Sequence, residues 1–156
     1  MLTVFGIPEE REVTESYNVV LIVAACLSAV AAVLHIVIMV GGPAWYRLFG
    51  AGERLATAAE SGRWYPAVVT AAIALALGVW AVYALSGAGV VRPLPFLKIA
   101  LVLITAVYIL RGIVVLPLLV FARAKATAFL LWSSLICLGF GAAHLLGLIQ
   151  IWPYLA

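Results

Sequence analysis

The sequence has no aspartate, a single asparagine (Asn18), two histidines and two cysteines among its 156 residues. Charged residues make up only 10% of it, nine Lys/Arg against six Glu. Soluble domains carry about 25% charged residues, because charged side chains cover a water-facing surface. The shortage excludes a water-soluble globule and a disordered tail. Cys26 and Cys137 lie far apart in apolar stretches, which excludes a disulfide scaffold and the neighbouring thiols of a disulfide-exchange enzyme. Without Asp there is no intramembrane aspartyl protease. With no Glu inside an apolar stretch, a proton antiporter built on an embedded carboxylate has no support. Two histidines and two scattered cysteines do not make a zinc site. No glycine-rich loop leads into Lys-Ser/Thr, so nucleotide hydrolysis has no basis. A formal charge of +3 is ordinary for a membrane protein with basic loops and gives no ground for nucleic-acid binding.

What the sequence has is apolar residues, at 67%. A transmembrane helix needs roughly 20 of them in a row to cross about 30 Å of hydrocarbon. Four stretches qualify: 18–40, 66–85, 95–120 and 127–151. Gly41-Gly42-Pro43, Ser86-Gly87-Ala88-Gly89 and Pro153 mark their ends. None alternates with period two, so helices rather than a β-barrel are expected. The predicted fold is all-α, a single integral membrane four-helix bundle over 1–156. Pro117 is expected to kink or shorten the third helix, since it removes a backbone donor and crowds the preceding turn.

The first stretch is too long for a signal peptide. It follows an acidic segment (Glu9, Glu10, Glu12, Glu15 with only Arg11), which is also the wrong charge. Val23-Ala24-Ala25-Cys26 loosely resembles a lipoprotein processing box, but the apolar run continues to Val40. The first and third connections carry Arg47, Arg54, Arg63, Arg123 and Lys125, against Arg11, Arg92 and Lys98 on the other side. That bias predicts both termini outside, in an inner or plasma membrane. Trp64, Tyr65, Trp152 and Tyr154 fall at span ends and read as interfacial anchors.

The connection 43–65 is amphipathic. Trp45, Leu48, Phe49, Leu55, Ala56 and Ala59 fall on one arc, with Arg47, Glu53, Arg54 and Glu60 opposite. It predicts a short interfacial helix, split into helix–hinge–helix by Gly50 and Gly52, that could lie as a flap over the bundle mouth. Small residues at Ala67, Ala71, Ala74, Gly78 and Ala81, and at Gly139, Ala143 and Gly147, mark edges for close helix packing or for self-association.

Three ionisable side chains lie deep in spans: Arg111, His35 and His144. Arg111 is about 15 Å from the end of its span by helical rise, and no span contains a carboxylate to neutralise it. The nearest partners expected are Glu53 and Glu60. Tyr108 lies one turn away. Both histidines read as neutral and hydrogen-bonded, and their depths differ by roughly 15 Å, too far to share one metal ion. The leading reading is a non-enzymatic protein that binds a lipid or an anionic amphipath in an intramembrane pocket. Arg111 would hold the head, Tyr108 and His35 would orient it, Glu53 and His144 would complete the lining, and no metal or cofactor is assigned. Partners expected are membrane lipids, with a second copy or another membrane protein as an alternative. Two rival functions stay open. One is an accessory subunit that joins a complex through the small-residue edges. The other is a membrane enzyme acting on a lipid or isoprenoid, with Glu53 and His35 as acid and base.

Overall fold

The computed structural model describes residues 17–121 and 127–155. Arg11, Arg123 and Lys125, used above for orientation, and Glu9, Glu10, Glu12 and Glu15, used above against a signal peptide, lie outside them. The elements are α1 (Val19–Leu48), α2 (Glu53–Glu60), α3 (Tyr65–Gly87), α4 (Leu97–Ile113), α5 (Val115–Phe121) and α6 (Ala128–Ile151), closed by a 3-10 turn (Trp152–Tyr154). Among the described residues there is no strand. Four helical stretches are long and apolar enough to cross a membrane: Val19–Leu48, Tyr65–Gly87, Leu97–Phe121 and Ala128–Tyr154. The chain is an all-α, four-span bundle.

Local chemistry sets the boundaries. Asn18 caps α1, its side-chain oxygen accepting from the Leu21 N–H at 2.8 Å. Thr127 caps α6 in the same way, accepting from Leu130 at 3.2 Å. Pro66 occupies the first turn of α3, where its missing N–H is no loss. Gly42 breaks α1 with φ 69° and ψ −151°, a conformation open to glycine, and Pro43 starts the helical tail that follows. The third span breaks at Val114, between α4 and α5. That is the expected effect of Pro117, whose ring crowds the carbonyl of Ile113 and cannot bond to it.

Helix α1 packs most extensively on α3, and α4 on α6; the α1–α6 contact joins the two pairs. Glycines permit the closest approaches. A Cβ at Gly147 would sit 2.5 Å from Leu21 Cγ, and one at Gly112 would sit 2.5 Å from Leu138 Cγ. Gly141 lies against Ile109 and Tyr108. As edges for packing within the chain, the small-residue stripes are therefore partly corrected. On α3 the buried stripe is Thr70, Ala74, Leu77, Ala81 and Ala84, while Ala67 and Ala71 are exposed. On α6, Gly147 is an edge as expected, but a Cβ at Gly139 would meet nothing within 4 Å.

The connector is helix–hinge–helix. The end of α1 and α2 flank a turn in which Gly50 and Gly52 hold positive φ. Its anchor is Tyr46, 2% exposed, packed with Ile38 and Ala56. Leu48, on the apolar arc of the connector, is 74% exposed. At the opposite end of the bundle, Asn18 donates to Gln150 at 2.8 Å, and Lys98 donates to the Leu155 carbonyl at 3.1 Å from above the Trp152 ring. Both described chain ends lie there.

Candidate functional site

Tyr108 sits at the centre of the bundle. Its ring meets Trp80 edge-on at 5.1 Å, Phe140 at 5.5 Å and His144 at 5.0 Å between centroids. Edge-to-face geometry sets a positive ring edge against a negative face. The Tyr108 hydroxyl lies 2.9 Å from Ser28 Oγ, and Ser28 is fully buried. One proton is shared between the two oxygens, so the pair keeps a second O–H to give. His144, 1% exposed, bonds the Phe140 carbonyl through Nδ1 at 2.9 Å. A carbonyl only accepts, so Nδ1 carries the proton and Nε2 is left as a lone pair. That Nε2 is buried and has no partner among the described residues. The bundle therefore encloses a Ser28–Tyr108–His144 group drawn from three helices.

Arg111 lies one turn beyond Tyr108 on α4 but points elsewhere. It is exposed, and its guanidinium donates to Ser133 Oγ at 3.1 Å and, more weakly, to Ser134 Oγ at 3.4 Å. Ser133 gives its own proton to the Leu130 carbonyl, at 3.1 Å, so its lone pair is free for the arginine. Both serines are within about 9 Å of the start of α6 by helical rise. The guanidinium thus lies nearer the membrane boundary than its backbone position implies. The expected pairing of Arg111 with Glu53 and Glu60 is not what the structure shows. Both carboxylates go to Arg47, with N···O distances of 2.9 and 2.8 Å. Arg47 belongs to the tail beyond the Gly42 break, which points it at α2. Its hydrogen bonds hold both carboxyls below their ordinary titration range.

The five residues expected to share a pocket therefore divide. Tyr108 and His144 meet in the core. Arg111 reaches α6. Glu53 is exposed and clamped by Arg47. His35 is half-buried, with Nδ1 2.8 Å from the Ala31 carbonyl of its own helix. Glu53 and His35, paired above as acid and base, thus have separate partners. Ser28 as the partner of Tyr108, and the two serines under Arg111, were not assigned from the sequence.

A bilayer-facing groove of about 690 Å³ runs between α1 and α3, lined by Ala32, Ile36, Met39, Ala74, Gly78 and Val82 among others. Its walls come from the other helix pair, so it is not the hollow expected around Arg111.

No protein-family model, curated protein or solved structure matches the chain.

Proposed function

We propose that this small multi-pass membrane protein is a non-enzymatic binder of an anionic amphipath, with Arg111 holding the acidic head. The observation that carries this is the state of Arg111. It is a cation within a span, exposed, and bonded among the described residues only to two neutral serine hydroxyls. A guanidinium has five N–H donors in a planar fork, so most remain to meet the paired oxygens of a phosphate or carboxylate. An isolated cation at a span's centre costs about 2.5–3.5 kcal/mol on insertion scales and less towards the boundary, and a bound anion offsets that cost. Val107, Leu110 and Val114 are exposed along the same helix and form an apolar track for the tail. Tyr108 and His144 act from inside by fixing α4 against α6. His35 and Glu53 take no part in this site. The proposal places the α2 end in the cytoplasm and both termini outside an inner or plasma membrane, following the Lys/Arg bias.

The test is thermal unfolding in mild detergent with added phosphatidylglycerol or phosphatidylcholine of the same acyl chains. Wild type should be stabilised more by the anionic lipid. Arg111→Gln should lose much of that difference while melting normally in phosphatidylcholine. An undiminished preference in Arg111→Gln would end this reading.

A further inference from the structure

We infer that the hollow between α2 and the first turn of α3 is a second site, which binds the phosphate headgroup of an anionic phospholipid. The hollow measures about 420 Å³ and is lined by Glu53, Arg54, Thr57, Ser61, Arg63 and Tyr65, among others. Two arginines and three hydroxyl groups face one space. Guanidinium forks match phosphate oxygens bidentately. Thr57 already donates to Glu53 and Ser61 to the Thr57 carbonyl, so the Tyr65 hydroxyl is the one that adds a donor.

The ion pairs around it decide its sign. Arg47 pairs with both Glu53 and Glu60, so one guanidinium offsets one of the two carboxylate charges and the clamp keeps a net charge of −1. Arg54 and Arg63 have no side-chain partner among the described residues, and both are exposed. With Arg54 and Arg63 added to that clamp, three arginines stand against two glutamates, so the region keeps one net positive charge, carried on the side of the two unpaired arginines.

Its position selects a lipid over a free anion. Arg63 precedes Trp64 and Tyr65 at the start of a membrane span, and Trp64 is 75% exposed. Exposed aromatics with one polar edge sit at headgroup depth. The hollow is also held in shape. Helix α2 is buried through Ala56 against Tyr46 and Ile38 and is tied by Arg47 at its first and last residues, Glu53 and Glu60. A preformed site spends little binding energy on ordering. Arg111 has no part in it, since α2 packs on α1 and α3 while Arg111 bonds to α6.

Native mass spectrometry of the full chain, released from mild detergent, tests the inference. The probes are phosphatidylglycerol, phosphatidylcholine of matched acyl chains, and inorganic phosphate. Wild type should retain two phosphatidylglycerol molecules. The double variant Arg54→Gln/Arg63→Gln should retain one fewer, and Arg54→Lys/Arg63→Lys should lie between. Arg111→Gln should also retain one fewer, by losing the other lipid. If the double variant keeps the full wild-type complement, this site is overturned, and the Arg111 reading stands where Arg111→Gln still loses a lipid. If only the double variant loses a lipid, the Arg111 reading fails and this one stands. Equal retention of phosphatidylcholine at this site, or displacement of its lipid by millimolar phosphate, overturns the assignment to an anionic lipid. Unchanged melting of the double variant in phosphatidylcholine alone confirms that the fold is intact.

Discussion

Tyr108 contributes in two separable ways. Its ring packs against Trp80, Phe140 and His144, and its hydroxyl meets Ser28. A hydrogen bond contributes about 0.5–1.5 kcal/mol net, and between membrane helices the average is nearer about 0.6. Loss of a buried aromatic ring costs about 3–5 kcal/mol. Tyr108→Phe should therefore cost about 1 kcal/mol or less, and Tyr108→Ala several times more, in reversible unfolding from mixed micelles. Equal losses in the two variants would place the stabilisation in the hydroxyl instead of the ring. His144 is different, because its Nε2 is buried and has no hydrogen-bond partner among the described residues. Polar groups of this kind were partly legible in the sequence. Arg111 and His144 stood out because ionisable groups are rare in spans. Their partners did not, because Ser28, Ser133 and Ser134 are ordinary residues whose role depends on helix rotation.

At the scale of elements, the four spans, the break caused by Pro117 and the hinged connector were readable, because each follows from local rules. Apolar length gives a span, proline breaks a turn, and paired glycines make a hinge. Helix rotation was harder to read. Helices α3 and α6 are apolar on all sides, so polarity does not separate their inner face from the lipid face as it would in water. The buried stripe on α3 includes Thr70 and Leu77, so a search for small residues alone assigned a neighbouring stripe. The Arg47 clamp was missed because it depends on the bend at Gly42. It carries a pH prediction. Hydrogen bonds from Arg47 lower the pKa of Glu53 and Glu60 in the folded chain. The clamp is thus fully formed above the unfolded glutamate value of about 4.3 and is lost as pH falls through the lower folded values. Hydrogen exchange over Glu53–Glu60 should be slow at neutral pH, after correction for intrinsic rates, and should quicken in acid. Arg47→Gln should release the same segment at neutral pH. Protection unchanged in that variant would show that Tyr46 and Ala56 hold α2 alone.

Across the whole molecule, two glycines of similar appearance should respond in opposite ways. Gly147 is where α6 rides against α1, and Gly78 faces the open groove, where an added Cβ meets nothing within 4 Å. Gly147→Leu should disrupt the bundle and lower the yield of monodisperse protein. Gly78→Leu should leave the melting temperature of the isolated chain nearly unchanged. A large loss in Gly78→Leu would show that α1 and α3 close over the groove in solution. The bond between Ser28 and Tyr108 also bears on how the chain is made. The two residues are 80 positions apart, and the Asn18–Gln150 tie spans 132. At roughly 5–20 residues per second, α1 waits several seconds in the bilayer before α4 delivers the tyrosine, and longer before α6 arrives. Throughout that interval the serine hydroxyl has only its own helix to bond. Of the four described spans, the earliest made is therefore the last to have its inner face covered.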